Sequence, residues 1–350
     1  MSAKIRIVLV GLGRMGRNHL RVIRETGGFE LAGVIEATAA RPQDLDPKVP
    51  FVRSLDELPA DSYEAVVIAT PTATHHAIAL DVIARGKHLL VEKPLASSFE
   101  QGQEVLAAAN AKGIKLVVGH VERFNPAVRK LREVIKAGTL GTPIHFSFTR
   151  VGGYPETVLS GNNVILDLAV HDIDVLRSLV GTVKLEHSMC HVTWKENVFD
   201  TAEIFLASAS GASATVHVNW ITPTKIRTVR VTGTRGVCFV DYILQTVELM
   251  GGSLLKPVEP TMNSFDKIEE HYRTTDRIQF GVRKEEPLRA QLTQFGQLLT
   301  SGDAGELCTG SDALAAVLLA ERAIQVDRGR TRAPTVPPNV HGPHATDEWV

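Results

Sequence analysis

A lysine, an aspartate and a histidine in this 350-residue chain have the types and spacing needed for proton transfer at a hydroxyl group. Lys93 stands just past the predicted strand His88–Val91, and Pro94 fixes its position because proline cannot continue a central strand. Its ammonium group could hydrogen-bond an oxygen that becomes a carbonyl as a hydride leaves. It could instead form a surface ion pair with Glu92.

Asp167 and His171 are the other two candidates. They are four residues apart, which places them on one face at the start of the predicted helix Leu166–Val180. An imidazole takes up a proton near neutral pH, so His171 could accept a hydroxyl proton while Asp167 orients the ring or binds a neighbouring hydroxyl. The alternative is an acid favoured by the helix dipole beside a buried histidine. The sequence does not decide whether the histidine or the lysine is the base, and Asp172 and Asp174 are expected to be solvated or structural.

The N-terminal segment contains the elements that would hold a nucleotide cofactor. Ile5–Val10 is an apolar, β-branched run without a helical period, as expected of a strand buried on both faces of a parallel sheet. Gly11, Gly13 and Gly16 follow it with G-x-G-x-x-G spacing, and Met15–Thr26 is predicted to be a helix. The first glycine permits a tight turn, the second lets the backbone approach a pyrophosphate, and the third allows close packing of helix and strand. The helix N-terminus would offer unpaired N–H groups to the phosphates.

An acidic residue completes this dinucleotide-binding pattern. The predicted strand Phe29–Ile35 ends at Glu36, whose carboxylate can accept hydrogen bonds from both hydroxyls of an adenosine ribose. A carboxylate there would repel a 2′-phosphate, so the pattern predicts NAD rather than NADP. Arg41 lies five residues further on and could allow NADP by swinging over the phosphate. The alternative is a glycine-rich turn in some other α/β protein.

Composition and charge exclude several classes of protein. The 38 basic and 39 acidic residues nearly cancel, which argues against a nucleic-acid or polyanion binder. The three cysteines are far apart and lack C-x-x-C spacing, so they predict buried thiols in a reducing compartment rather than a zinc site. The N-terminus has no apolar stretch long enough for a signal peptide or a membrane span. We therefore expect a cytoplasmic protein that binds no metal, no membrane and no nucleic acid.

The order of the predicted elements indicates two domains of the α/β class. Residues 1–121 alternate strand and helix, which predicts a doubly wound parallel sheet. Residues 122–330 contain strands that follow one another with little intervening helix, from Ile144–Val151 to Thr246–Met250, and predict an open, mostly antiparallel sheet. Residues 331–350 are a Pro-rich tail expected to wrap the surface or to be disordered.

Polar side chains stand where the parallel strands are predicted to end. Ligands bind such sheets beyond the carboxyl ends of the strands, so these residues are binding candidates. His75 could equally be a packing residue, and Arg123 could equally hold the two domains together. The candidates at these ends are Thr70, Pro71, Thr72, His75, Glu92, Lys93, Glu122, Arg123 and Asn125.

Four motifs connect these residues to a known family. VGLGRMG, ATPTATHH, GKHLLVEKP and ILDLAVHDID occur in an order and spacing that resembles the Gfo/Idh/MocA family of nicotinamide-dependent sugar oxidoreductases. The resemblance covers roughly residues 4–328. It implies an N-terminal Rossmann domain, a second domain whose open sheet carries the substrate site, and homodimers or homotetramers packed through that sheet. It also favours Lys93, Asp167 and His171 as catalytic residues.

The resemblance further implies where NAD is bound. The loop after the strand Ala65–Ala69 would border the ribose and nicotinamide of the cofactor. The expected cofactor-binding residues are Gly11, Gly13, Arg14, Met15, Gly16, Glu36, Thr70, Pro71, Thr72, His75, Glu92, Lys93 and Arg123.

Two further stretches are similar to enzymes that act on nucleotide-linked amino sugars. GHVERFNPAV and NWITPTKIR look most like the UDP-N-acetylglucosamine 3-dehydrogenases, which oxidise the C3 hydroxyl to a ketone before transamination. Many relatives carry Gly-Gly where this chain has Gly161-Asn162-Asn163, and an amide there could contact substrate or simply form a different turn. The alternatives are an inositol or simple-sugar dehydrogenase of the same family, and an NAD-binding regulator that performs no chemistry.

A nucleotide sugar would require a clamp for its diphosphate, usually a bidentate arginine with polar or aromatic help. Arg150, Tyr154, Lys225 and Arg227 are candidates, although basic residues on sheet edges are more often solvated. The expected substrate-binding residues are Lys93, Asn125, Arg150, Tyr154, Asn163, Asp167, His171 and Arg227.

Overall fold

Two β-sheets form the framework of the chain. The computed structural model describes residues 4–153, 163–193, 196, 198–251 and 277–328. The predicted substrate residue Tyr154 and the predicted tail 331–350 lie outside the described residues. No helix in these described ranges is long and apolar enough to cross a membrane.

The first sheet is the doubly wound parallel sheet that the sequence predicts. Its strands are β1 (Ile5–Val10), β2 (Phe29–Ile35), β3 (Phe51–Val52), β4 (Ala65–Ile68), β5 (His88–Glu92), β6 (Leu116–Gly119) and β15 (Cys308–Thr309). They are arranged β15-β6-β5-β4-β1-β2-β3, and all neighbours are parallel except the β15–β6 pair. Three helices connect the strands: α1 (Arg14–Glu25), α2 (Thr72–Ala84) and α3 (Phe99–Ala111). The sequence order reverses at β1, so the ligand crevice of such a sheet lies beyond the C-terminal ends of β1 and β4.

The central strands are apolar throughout because helices cover both faces of this sheet. Ile7 and Leu9 pack into one core cluster, and Val8 and Val66 pack into the cluster on the opposite face. All four side chains are fully buried. A strand buried on both faces needs a continuous apolar run, which explains why this part of the sequence lacks alternation.

The second sheet is antiparallel apart from one pair, as predicted. Its strands are β7 (Pro143–Val151), β8 (Val183–His191), β9 (Thr201–Ser208), β10 (Ser213–Asn219), β11 (Ile226–Gly233), β12 (Gly236–Asp241), β13 (Thr246–Gly251) and β14 (Arg277–Phe280). Their order is β14-β13-β12-β11-β7-β10-β9-β8, with only β10 and β7 parallel. Helices α4 (Pro126–Lys136) and α5 (Val170–Val180) pack against one face. Apolar residues therefore alternate with polar ones along these strands.

The C-terminal segment packs against the first sheet. The predicted boundary between the two domains at residue 121 does not account for this return of the chain. Helix α6 (Pro287–Ser301) places Leu292 and Phe295 in the core of the first sheet. Helix α7 (Gly310–Arg328) contributes Ala313 to the first sheet's core and its later residues to the core of the second sheet. The two sheets are thus joined by shared packing as well as by the chain crossing near residue 121.

The structure corrects the start of the predicted helix Leu166–Val180. Ile165–Ala169 forms a π-helical turn, and the regular helix α5 begins at Val170. A π turn is a local widening that often occurs at functional sites and that apolar spacing does not reveal. Asp167 lies in the middle of this turn.

Candidate active site

Each of the three glycines in the G-x-G-x-x-G motif is required for a different structural reason. Gly11 has φ +93°, and a Cβ there would lie 2.7 Å from the Ala69 carbonyl oxygen. A Cβ at Gly16 would overlap the Gly11 carbonyl oxygen, so α1 can approach β1 only without that side chain. A Cβ at Gly13 would meet nothing within 4 Å, and no side chain caps this helix end. The open space at Gly13 and the free helix N-terminus fit the pyrophosphate of a dinucleotide.

The carboxylate of Glu36 lies beside this glycine loop. It accepts hydrogen bonds from the backbone N–H groups of Leu12 (2.7 Å), Thr38 (2.9 Å) and Ala39 (3.1 Å). Burial opposes ionisation, but these bonds outweigh it and lower the pKa of Glu36 to about 2. The acid is therefore held in its ionised form where the sequence predicts the adenosine ribose.

Two arginines near Glu36 differ from the sequence-based expectation. Arg41 donates to the backbone carbonyls of Asp46 and Val49, so its guanidinium is held away from the ribose loop. Arg53, which the sequence did not single out, donates to the carbonyls of Glu36 (2.6 Å) and Ala39 (3.1 Å). Arg53 is thus the arginine next to Glu36, where the sequence predicts the adenosine ribose.

His75 connects two loops at the predicted cofactor edge. It is buried, and its ring nitrogens lie 2.9 Å from the carbonyl oxygens of Thr70 and Pro94. Burial lowers the pKa of His75 against the opposing effect of the two carbonyl contacts, and a neutral ring donates to one of these carbonyls at a time. This placement supports a bridging role between the Thr70–Thr72 loop and the turn after Lys93.

Lys93 and Asp167 are brought into direct contact. The Lys93 Nζ donates to the Asp167 backbone oxygen (2.7 Å) and to its carboxylate Oδ1 (3.1 Å). Burial opposes ionisation of Asp167, but the charge of Lys93 and hydrogen bonds from Lys93 and Trp220 lower its pKa. The pair remains partly accessible, with 18% of the lysine side chain and 35% of the aspartate side chain exposed. This ion pair is therefore accessible to a small molecule that binds in the crevice.

His171 lies half-buried within electrostatic reach of this pair. Burial, followed by the charges of Lys93 and Arg150, lowers the pKa of His171 well below its usual value. Its Nδ1 has no hydrogen-bond partner among the described residues. A neutral imidazole beside an ammonium group can accept a proton from a hydroxyl that the ammonium holds.

Glu92 is tied to the cofactor-binding helix. Its Oε1 lies 2.7 Å from Nε2 of His19 on α1, and its Oε2 accepts from the Lys93 backbone N–H at 3.3 Å. Burial opposes ionisation of Glu92, but the bond from His19 outweighs it and lowers the pKa. This buried contact connects α1 to the end of β5 and takes the place of the alternative in which Glu92 forms a surface ion pair with the Lys93 ammonium. His19 was missed because a lone histidine on a helix carries no spacing signal.

Arg150 is placed differently from the predicted diphosphate ligand. It is fully buried and donates to both carboxylate oxygens of Asp172 (2.9 Å each) and to Glu122 (2.9 Å). Its fork is therefore occupied within the protein and does not face an external anion. Asp172, which the sequence predicts to be either solvated or structural, has a structural role as the partner of Arg150. Arg227 is partly exposed, 3.8 Å from Glu122, and its Nε has no partner in the described part of the chain.

Three other predicted binding residues have structural partners. Arg123 forks onto Asp174 (2.8 and 2.6 Å), which favours its alternative role of holding the domains together. Asn125 caps α4 and donates to Glu122 and Tyr242, so its amide is fully engaged. Asn163 accepts from the N–H groups of Ile165 and Leu166 and begins the π turn.

The fold and these contacts are those of a particular class of enzyme. A dinucleotide fingerprint at the switch point of a parallel sheet faces a lysine–aspartate pair and a neutral histidine, as in a nicotinamide-dependent dehydrogenase. The chain belongs to the GFO/IDH/MocA oxidoreductase family. The model of its NAD-binding Rossmann fold matches residues 5–120, and that of its C-terminal domain matches residues 128–238.

Curated relatives act on polyols and on a nucleotide sugar. The scyllo-inositol 2-dehydrogenase (NAD(+)) of Bacillus subtilis is 29% identical over 264 residues, covering 69% of this chain and 75% of the relative. The UDP-N-acetylglucosamine 3-dehydrogenase of Acidithiobacillus ferrooxidans is 27% identical over 247 residues, covering 70% and 76%. The present chain is accordingly an NAD-dependent oxidoreductase of the sugar and polyol class.

Solved structures share the fold. The structure of the Acidithiobacillus ferrooxidans UDP-N-acetylglucosamine 3-dehydrogenase GnnA has a TM-score of 0.78 at 22% identity, covering 93% of this chain and 99% of that one. An oxidoreductase from Agrobacterium radiobacter in complex with NAD+, L-tartaric acid and magnesium has a TM-score of 0.74 at 22% identity, covering 93% and 97%. At these identities the likeness establishes the architecture.

Proposed function

We propose that this chain oxidises the C3 hydroxyl of UDP-N-acetylglucosamine to a ketone, with NAD as the hydride acceptor. The observation that carries the chemical part is the contact of Lys93 with Asp167 beside a neutral His171. The substrate part is supported by the curated nucleotide-sugar relative and by two local sequence stretches. The roles of the catalytic residues and the identity of the substrate therefore need separate experiments.

Lys93 binds the oxygen that becomes the carbonyl. Asp167 holds the Lys93 ammonium group through its backbone oxygen and its carboxylate, so the ammonium points to a fixed place in the crevice. A positive charge at that place stabilises the oxygen as its proton leaves. NAD, when bound, would supply the hydride acceptor for the carbon that carries this oxygen.

His171 takes the hydroxyl proton. Burial and the charge of Lys93 keep its imidazole unprotonated at neutral pH, so it is ready to act as a base. The proton moves from the substrate oxygen to Nε2 because Nδ1 is buried. The hydride and the proton together leave a neutral ketone.

The two stretches that suggested a nucleotide sugar lie around this site. GHVERFNPAV contains Glu122, which binds Arg150 and lies near Arg227. NWITPTKIR contains Trp220, a hydrogen-bond partner of Asp167, and also Lys225 and Arg227. Their sequence similarity to nucleotide-sugar enzymes therefore concerns residues of the crevice.

Lys225 and Arg227 are the basic residues available to a diphosphate. The neighbouring charge of Arg227 lowers the pKa of Lys225, with burial and Arg14 of the glycine loop contributing in the same direction. Two or three positive groups so close together have an unfavourable mutual energy that an anion relieves. The clamp is thus assigned to Lys225 and Arg227, without Arg150.

Titration of UDP in the presence of NAD tests the nucleotide part of this proposal. UDP should bind, and binding should weaken with salt because charged groups are exposed at the crevice. Arg227→Ala should weaken UDP binding by about tenfold or more. Arg289→Ala removes an equally charged exposed side chain on α6 and serves as the control.

The runner-up is oxidation of a free polyol or simple sugar. It is favoured by the inositol dehydrogenase relative, which is at a similar identity. Absence of UDP binding at millimolar concentration, together with NADH formation from a polyol, would establish this alternative. A regulator that binds NAD without chemistry would produce NADH from neither class of substrate.

A further inference from the structure

A buried histidine, His120, lies beside the proposed base and has no role in the mechanism above. It follows β6 and is 1% exposed. Its ring meets that of His171 edge to face, with centroids 6.3 Å apart and an interplanar angle of 81°. Neither ring nitrogen of His120 has a hydrogen-bond partner in the described ranges, and the same holds for Nδ1 of His171.

A fixed carboxylate stands next to His120. Asp174 Oδ2 lies 3.7 Å from Nδ1 of His120. The Arg123 fork holds both Asp174 oxygens, and the Cys308 thiol lies 3.3 Å from Oδ1. Because His171 and Asp174 are three residues apart on α5, one turn of that helix presents both groups to His120. The carboxylate cannot turn away from the histidine without breaking the arginine pair.

Protonated His171 would require a hydrogen-bond acceptor such as His120 at its buried Nδ1. After His171 accepts a proton, its Nδ1–H is a buried donor that requires an acceptor, since an unpaired buried donor is costly. The basic groups Lys93, Arg150 and Arg227 surround the ring and increase that cost. Within the described residues, His120 is the uncharged ring in contact with His171 that could accept the bond.

We propose that His120, backed by Asp174, is a positioning residue that accepts a hydrogen bond from Nδ1 of His171 during the reaction. The proposal rests on His171 being the base. The rings must approach and rotate out of the edge-to-face arrangement so that Nδ1–H of His171 meets a nitrogen lone pair of His120, since catalytic hydrogen bonds often form fully only when substrate binds. The bond keeps Nδ1 protonated and Nε2 free, so Nε2 receives the hydroxyl proton while the hydride goes to NAD. His120 neither gains nor loses a proton.

A metal site is the other use of these side chains. Ligand atoms of His120, Asp174 and Cys308 lie within 4.8 Å of one another. Both oxygens of Asp174 are paired with Arg123, whose positive charge already occupies the place of a cation. The arrangement therefore favours the positioning role.

The test compares His120→Phe, which keeps a ring and removes both nitrogens, with His120→Asn, which restores an acceptor. The phenylalanine variant should lower kcat by about tenfold or more while the KM values for NAD and sugar stay within about twofold. The asparagine variant should recover part of that loss. Cys308→Ala, which alters the same buried cluster through its contact with Asp174, should keep the wild-type kcat.

The pH profile separates positioning from packing. Loss of the acceptor destabilises the His171 imidazolium, so the acid limb of kcat should move to lower pH in His120→Phe. Lys93, Arg150 and Arg227, whose charges act on His171, are unchanged in that variant, and His120 is the one titratable group facing His171 that it removes. An unshifted profile would overturn the proposal, as would equal losses in the two variants. His120→Leu replaces the phenylalanine variant if the latter does not fold.

His171→Ala distinguishes this inference from the proposed function. If His171→Ala keeps wild-type turnover, another group is the base and both ideas fail. If His171→Ala is inactive while His120→Phe behaves as wild type, the base is assigned correctly and only the positioning role is wrong.

Discussion

Lys93 lowers the pKa of both other members of the candidate triad, Asp167 and His171, and the consequence for their charge is opposite. Its charge lowers the pKa of Asp167 and so keeps the carboxylate ionised. The same charge, added to burial, lowers the pKa of His171 and keeps the imidazole neutral. One ammonium group thus favours the ionised form of the proposed anchor, Asp167, and, together with burial, the neutral form of the proposed base, His171.

Replacing either Lys93 or His171 should remove most turnover without preventing cofactor binding. Lys93→Ala removes the charge that stabilises the substrate oxygen, and His171→Ala removes the proton acceptor. Each should lower kcat by about a hundredfold or more. Steady-state kinetics and titration of NAD by fluorescence measure the two properties.

His76→Ala is the control for this pair of variants because His76 lies on α2 and pairs with Glu104 at the surface. Its kinetics should match those of the wild type. Wild-type rates in both Lys93→Ala and His171→Ala would defeat the proposed mechanism.

Glu36 should determine the preference for NAD over NADP. Its pKa of about 2 means that the carboxylate stays ionised from about pH 5 to 9, so any change in the preference over that range should follow the second ionisation of the 2′-phosphate at about pH 6 and not the titration of Glu36. Glu36→Ser removes the repulsion of a 2′-phosphate and leaves Arg53 beside it, which should narrow the NAD/NADP ratio of kcat/KM by about tenfold or more. Glu30→Ser, at the other end of β2, should leave the ratio unchanged.

Equal catalytic efficiency of the wild type with both cofactors would show that Glu36 does not face the ribose.

At the scale of elements, α1 contributes to two parts of the candidate site. Its N-terminus is open at Gly13, where the phosphates are expected, and its second turn carries His19, which pairs with Glu92 at the end of β5. The helix therefore connects the cofactor loop to the strand that positions Lys93. A displacement of α1 would alter both sites.

Gly13→Ala and Gly16→Ala should separate binding from packing. Beyond its chain neighbours, a Cβ at Gly13 would meet no atom of the described residues within 4 Å, and the backbone φ of −62° suits alanine. Stability should therefore be preserved while NAD binding weakens by about tenfold or more. A methyl group at Gly16 overlaps the Gly11 carbonyl and should lower the melting temperature. Thermal unfolding with and without NAD measures both effects. Equal stability of the two variants would contradict this account of the fingerprint.

The elements with strong local signals could be predicted from the sequence. The apolar runs of β1 and β2 were predicted with the bounds that the structure has. The strands β3 and β15 have two residues each, too few to show a period, and β14 is short as well. The π turn at Asp167 also lacks a sequence signal, since it depends on contacts with Asn163 and Lys93.

Buried ion pairs were the main part of the site that the sequence could not supply. Arg150 and Asp172 are 22 residues apart, and Arg123 and Asp174 are 51 apart, so no local spacing connects them. Exposed arginines on sheet edges and buried arginines with two partners have the same sequence signature. The fold decides between them, and here it assigns Arg150 to the interior.

At the scale of the whole molecule, no helix among the described residues covers one face of the second sheet. Met189, Phe205 and Phe239 lie on this face and are 43%, 41% and 40% exposed. Their strands alternate with buried neighbours that point to the core, so the three apolar side chains share the open face. We propose that a second copy of the chain covers this face, as the family resemblance implies.

Phe205→Asp should convert the oligomer to a smaller species. A charge near the centre of a covered apolar face loses its hydration on assembly, which is unfavourable. Analytical ultracentrifugation measures the mass. Val326→Asp changes a side chain of matching 40% exposure on α7 and should leave the mass unchanged. A wild-type monomer, or an unchanged mass in Phe205→Asp, would contradict the proposed interface.

The most direct test of the account is the formation of NADH, followed by its ultraviolet absorbance, when the wild-type protein receives NAD and UDP-N-acetylglucosamine. NADH should form with a 3-keto nucleotide sugar as the co-product, and no NADH should form in His171→Ala. NADH formation only from a free polyol would replace the proposed substrate. Absence of NADH with every nucleotide sugar, simple sugar and polyol, from a protein that binds NAD, would contradict the central claim.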